Sequence, residues 1–190
     1  MKYVSKDLPK QYVEVAHVRF DDVRTGFLHD LKAVFPGILL TITGWLMVRP
    51  TAIQVLISFG IFVVSIYPYF ALHEFVHGIV IKVMTRQQIE IGFTRSGAFC
   101  AMPELYMNRP LAIGCTAAPL VAFSALFGIT ALILITAGHW MFLLPGFLVT
   151  LHLLGCRSDV HLLKELGKFK NRSLWVKDTG KEQWLYLPMD

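Results

Sequence analysis

Charge is what this sequence has least of. Only 16% of its 190 residues are Asp, Glu, Lys or Arg, against 55% hydrophobic residues and a mean hydropathy of +0.55. Soluble domains carry about a quarter charged residues, so an ordinary water-soluble globule is excluded. Cysteine is scarce too: Cys100, Cys115 and Cys156 form an odd count without metal-finger spacing. No disulfide framework or multi-thiolate zinc site is expected from them. Repeats, low-complexity stretches and long linkers are absent, so the length predicts one domain. The opening MKYVSKDLPKQYVEVAHVRFDDV is mixed in charge and has no apolar core near its start, so no cleavable signal is expected.

Apolar runs are what the chain has instead. They cover residues 33–49, 53–71, 111–137 and 140–155, and the second continues to about Met84. A membrane span needs about 20 apolar residues. The third run is long enough, whereas the first and fourth need flanking residues. Ile53 to Met84 would make a helix of about 48 Å at about 1.5 Å per residue, longer than a hydrocarbon core of about 30 Å. The expectation is a tilted or projecting helix kinked near Pro68, with a similar kink at Pro119.

The net charge of +5 raises the possibility of nucleic acid, but its distribution and the missing soluble core exclude it. Placing both termini and the 82–109 loop in the cytoplasm puts 17 Lys and Arg inside and leaves only Arg49 outside. The positive-inside rule then favours four spans with both ends cytoplasmic, in a cell membrane.

Between the runs, YVEVAHVRF alternates like a strand or an extended surface segment. RQQIEIGFTRSGAFCAMPE reads as a β-hairpin turning at TRSG. The tail offers a short helix, Asp159–Leu166, and a second hairpin turning at Asp178-Thr179-Gly180. The fold class expected is mainly α: a multi-pass bundle of about four transmembrane helices with a short cytoplasmic hairpin and a small C-terminal hairpin. Residues 1–32 form an interfacial arm, 33–158 the membrane-embedded part and 159–190 the cytoplasmic tail.

Inside the second run stands His73-Glu74-Phe75-Val76-His77, an H-E-x-x-H pattern. Helix positions i and i+4 share a face, so both imidazoles can bind one Zn²⁺ while Glu74 acts as general base on its water. An ionisable residue in mid-span costs about 2.5–3.5 kcal/mol, which three together repay only beside a cavity, a metal or one another. The alternative is a metal-free His–Glu–His cluster in the bundle interior.

A catalytic zinc usually has three protein ligands. Candidates for the third are Asp159, His152, Cys156, His161 and Glu104. Asp159 is acidic and lies where the fourth run returns to the motif's depth, but an N-cap for the following helix also suits it. His152 suits either a ligand or a hydrogen-bonding partner of the site. His161 and Glu104 read as solvated, and a lone Cys156 is the poorest candidate. His17, His29 and His139 have no partner spacing.

These residues resemble a bacterial membrane family described as putative zincin peptidases, which carries an HE-[LF]-[IV]-HG stretch in an apolar segment. The matching pieces are ALHEFVHG (71–78), IEIGFTRSGAFCAMPE (89–104), CTAAPLVA (115–122) and GCRSDVHLL (155–163). More distantly the chain is similar to site-2-type intramembrane metalloproteases. The resemblance implies Zn²⁺ on His73, His77 and Asp159, with Glu74 as base. It departs from the site-2 pattern in that Val160 follows Asp159 and no Asn-Pro arrangement precedes it.

The expected function is therefore an integral-membrane zinc metallopeptidase acting on a peptide or membrane-protein substrate at the lipid bilayer. The alternative is a non-catalytic metal-binding protein with a structural, sensing or scaffold role. Transport is disfavoured, because apart from Arg49 and Lys82 near the run ends, His73, Glu74, His77 and His152 are the only Asp, Glu, His, Lys or Arg residues within the runs.

Overall fold

The computed structural model describes residues 3–8, 11–19, 27–94, 97–169, 173–180 and 182–189. In chain order they form β1 (Val4–Ser5), β2 (Tyr12–Arg19), α1 (Phe27–Val48), α2 (Ala52–Thr85), β3 (Glu90–Thr94), β4 (Gly97–Ala101), β5 (Tyr106–Asn108) and α3 (Arg109–Thr136). A 3₁₀ turn at Trp140–Phe142 leads to α4 (Leu143–Gly155), α5 (Arg157–Lys168), β6 (Trp175–Asp178) and β7 (Glu182–Pro188). Two units emerge. One holds residues 1–24, 70–119 and 158–190; the other holds 25–69 and 120–157.

Three helices, α1, α2 and α3, are long and apolar enough to cross a membrane. The fourth apolar run folds differently from a plain span. Its α4 has only 13 residues, about 20 Å of helix. A bend of 47° then leads into α5, so only the bent pair together would count as a fourth crossing.

The second unit is packed through small residues. Thr41 and Gly37 on α1 oppose Gly146 and Thr150 on α4. A Cβ on Gly37 would fall 2.5 Å from Thr150 Oγ1, and one on Gly146 would fall 2.7 Å from Thr41 Oγ1. Each threonine hydroxyl donates to the carbonyl of the glycine four residues before it, at 2.9 Å. Close backbone approach through small residues is how helices pack where lipid removes the hydrophobic drive. Arg157 and Asp30 close this unit with an ion pair at 2.8 Å.

The first unit is built on a five-stranded antiparallel sheet in the order β1-β5-β6-β7-β2, with β3 and β4 pairing separately. The sequence reading treats the N-terminal strand and the tail hairpin as separate pieces, and it has no β5. In the structure β2 pairs with β7 along its length, with a bulge between Glu14 and Ala16. Val18, Val176, Leu185 and Leu187 bury one face of that sheet against Leu162 and Leu166 of α5. Asn108 links sheet to helix: its side chain accepts from the Leu111 N–H and so caps α3. The turn residues Arg95 and Ser96 and the side chain of His29 lie outside the described residues.

Candidate metal centre

The part of α2 in the first unit has two unlike faces. Leu72, Phe75, Ile79 and Val83 are exposed and apolar, whereas His73, Gly78 and Ile81 are buried. Helical spacing produces this split: residues three and four apart share a face, and here one face is suited to lipid and the other to protein. His73 and His77 lie on the protein side with ring centroids 5.1 Å apart.

Asp159 meets them there. Its Oδ2 is 3.3 Å from His73 Nε2, and its Oδ1 is 3.7 Å from His77 Nε2. One ligand atom from each of the three lies within 4.8 Å of the others, a group that could hold a metal ion. Asp159 is the third residue of α5 and sits in its first turn, rather than in the N-cap position. With Leu162 and Leu166 it forms an i, i+3, i+7 stripe, so the leucines that anchor α5 on the sheet also aim the carboxylate.

His77 Nδ1 lies 2.8 Å from the Cys115 carbonyl oxygen of α3. A carbonyl only accepts, so Nδ1 carries a proton and Nε2 is the nitrogen turned to Asp159. Glu74, between the histidines, is partly buried, and the Cys100 N–H of β4 donates to its carboxylate. Alternate residues of an antiparallel strand turn their amides away from the partner strand, which leaves such an amide available.

The other candidates make other contacts. His152 is fully buried in the second unit, with Nδ1 2.7 Å from Tyr69 Oη and Nε2 3.2 Å from the Leu120 carbonyl. Cys156 Sγ is 3.4 Å from the same imidazole. Glu104 is exposed and His161 partly so. His17 stacks on Trp184 and contacts Glu182 at 3.2 Å, far along the sheet.

Two residues beside the site have no counterpart in the sequence reading beyond a turn. On the inner face of the sheet, Asp178 follows Val176 and Gln183 precedes Leu185, each two residues on. The apolar layer therefore ends in a polar one at the end where α5 begins. Asp178 accepts from the Gly180 N–H at 2.7 Å and from the Gln183 amide at 2.8 Å. Burial pushes its carboxyl up to about 6, with a smaller contribution from the charge of Asp159. Gly180, at φ +78°, lies against Phe99 and Ala101, where a Cβ would clash. Between those two residues, Cys100 has its thiol pushed up to about 12 by burial first and then by Glu74 and Asp178.

Residues 66–174, more than half the chain, match the model of a family described as putative zincin peptidase. The chain belongs to that family. The matched stretch contains H-E-x-x-H, the β3–β4 pair, Pro119 and Asp159, while β1, β2, Asp178 and β7 fall outside it. No curated protein and no solved structure matches the chain. Zincin peptidases imply zinc, and the donors present fit it. Two imidazole nitrogens and one carboxylate oxygen make a three-ligand set that leaves a position open. A backbone carbonyl on the far nitrogen is a usual outer partner for such an imidazole.

Proposed function

We propose that the chain is an integral-membrane zinc metallopeptidase that hydrolyses peptide bonds of membrane or juxtamembrane protein substrates. The observation that carries this reading is the convergence of His73, His77 and Asp159 beside Glu74, at the end of a helix apolar enough to span a bilayer.

His73 and His77 would hold Zn²⁺ through Nε2, and Asp159 through its carboxylate. When bound, the ion polarises a peptide carbonyl and acidifies water. Glu74 accepts the proton of the attacking water and returns it to the departing amine nitrogen. The Cys100 N–H holds the Glu74 carboxylate in place through that exchange. Asp159 also holds both imidazoles on one side of the site. The charge distribution supports both termini being cytoplasmic, and the apolar faces of α1 to α3 support lipid as the surrounding partner.

The test is the purified protein and its Glu74→Gln variant, with metal content and cleavage of co-expressed membrane proteins measured on both. Zinc retained and cleavage lost in the variant is the expected result. Cleavage unchanged in the variant, or a wild-type protein that carries no zinc, would overturn the reading. Zinc bound by a wild-type protein that cleaves nothing would favour a non-catalytic metal protein instead.

A further inference from the structure

Residue 119 in α3 is proline, and proline has no N–H. In an α-helix the N–H of residue i bonds the carbonyl of residue i−4, so the Cys115 carbonyl is left without that donor. It is this carbonyl that faces His77 Nδ1 at 2.8 Å. The Cys115 side chain lies alongside, with Sγ 3.7 Å from the His77 carbonyl and 3.8 Å from Nδ1. The Pro119 ring is fully buried.

We propose that Pro119 is a positioning residue for the metal centre: by withholding a backbone donor it frees the Cys115 carbonyl to hold His77 with its proton on Nδ1 and its Nε2 turned to Asp159. This rests on the zinc reading of the site. The mechanism is specific to one hydrogen atom. Any other residue at 119 would bring an N–H aimed along the helix at the same oxygen. A carbonyl has two lone pairs, so the imidazole would keep a share of the acceptor rather than lose it. Outer partners of metal-binding histidines are typically worth about 10- to 100-fold in metal affinity. Sharing the acceptor therefore predicts the lower end, about tenfold.

The experiment separates the missing N–H from the missing ring. Zinc affinity is measured by competition with a chromophoric chelator for the wild type, for Pro119→Ala, and for a protein carrying lactic acid at 119. The last has alanine's side chain but an ester in place of the N–H. Alanine should weaken zinc about tenfold, and lactic acid should restore it to near the wild-type value. Equal affinity in wild type and Pro119→Ala overturns the inference and leaves the zinc reading intact. Equal weakening by alanine and lactic acid also overturns it, since the ring would then be what matters. A wild-type protein without zinc overturns both. Should the variants fold poorly, ¹⁵N signals of His77 in the metal-free wild type decide. A proton on Nδ1 supports the inference, and an Nδ1 without one overturns it.

Discussion

The two units are built on opposite plans. The first buries Leu166, Val176, Leu185 and Leu187 between a sheet and a helix and places its charges outside or around one site. The second turns Leu46, Val64 and Tyr67 outward, at 68%, 77% and 80% exposure, and keeps glycines, threonines and His152 within. The same apolar side chain thus means a core where the sheet meets α5 and a surface along the outer faces of the long helices. On the membrane reading proposed above, the difference is one of solvent. Where water surrounds the chain, apolar burial drives packing. Where lipid does, apolar surface gains nothing by being hidden, and close backbone contact with satisfied polar groups takes over.

Truncating the same residue type in each unit should break the symmetry most visibly. Leu185→Ala should lower stability by about 2–5 kcal/mol, whereas Leu46→Ala should leave the melting temperature in detergent nearly unchanged; similar losses at both sites would refute the contrast. Charge tests the converse. Val64→Lys in mid-helix should cost about 2.5–3.5 kcal/mol of insertion free energy, and Glu104→Leu on the exposed loop should stay within about 0.5 kcal/mol. Glycosylation-based insertion assays and thermal melts report the two.

Buried polar groups sharpen the comparison. Asp178 has its carboxyl raised to about 6, so the folded state holds the proton more tightly than the unfolded chain. Stability should therefore fall as pH rises from about 4 through about 6 and level off above, a loss of about 3 kcal/mol. Asp178→Asn should flatten that part of the profile, and melts between pH 4 and 8 with parallel slopes for both proteins would contradict it. A smaller loss than at Asp178 is expected from Tyr69→Phe, which removes the hydroxyl at His152: about 0.6–1 kcal/mol, as for hydrogen bonds between membrane helices. A loss above about 3 kcal/mol would show that this pair does more than satisfy a buried imidazole.

What was legible in the sequence was local. H-E-x-x-H, the apolar lengths of α1 to α3 and the alternation of Tyr12–Arg19 each repeat at a period the chain itself sets. Pro119 was legible only as a kink in the third run; the use made of the carbonyl it frees comes from the fold. The sheet was not legible. Its first long strand pairs with its last, and nothing in YVEVAHVRF names QWLYLP as its neighbour. The three residues of β5 are too few to show a period. The fourth apolar run, which needs flanking residues to make a span, forms a short α4 that buries Leu143, Leu148 and Val149 and bends into α5, and nothing local in the sequence marks that bend. Gln183 was invisible for a simpler reason: a lone glutamine acquires meaning only from the aspartate opposite it.

The strand order also fixes a timetable. β7 lies between β6 and β2, so β2 has no partner in the sheet until β7 has been made. All three long helices are synthesised while that strand waits. The sheet that seats α5, and with it Asp159, closes only once β7 has been made. A growing chain therefore carries both histidines of the motif well before the carboxylate opposite them is fixed, and the strand that completes the sheet also completes the site.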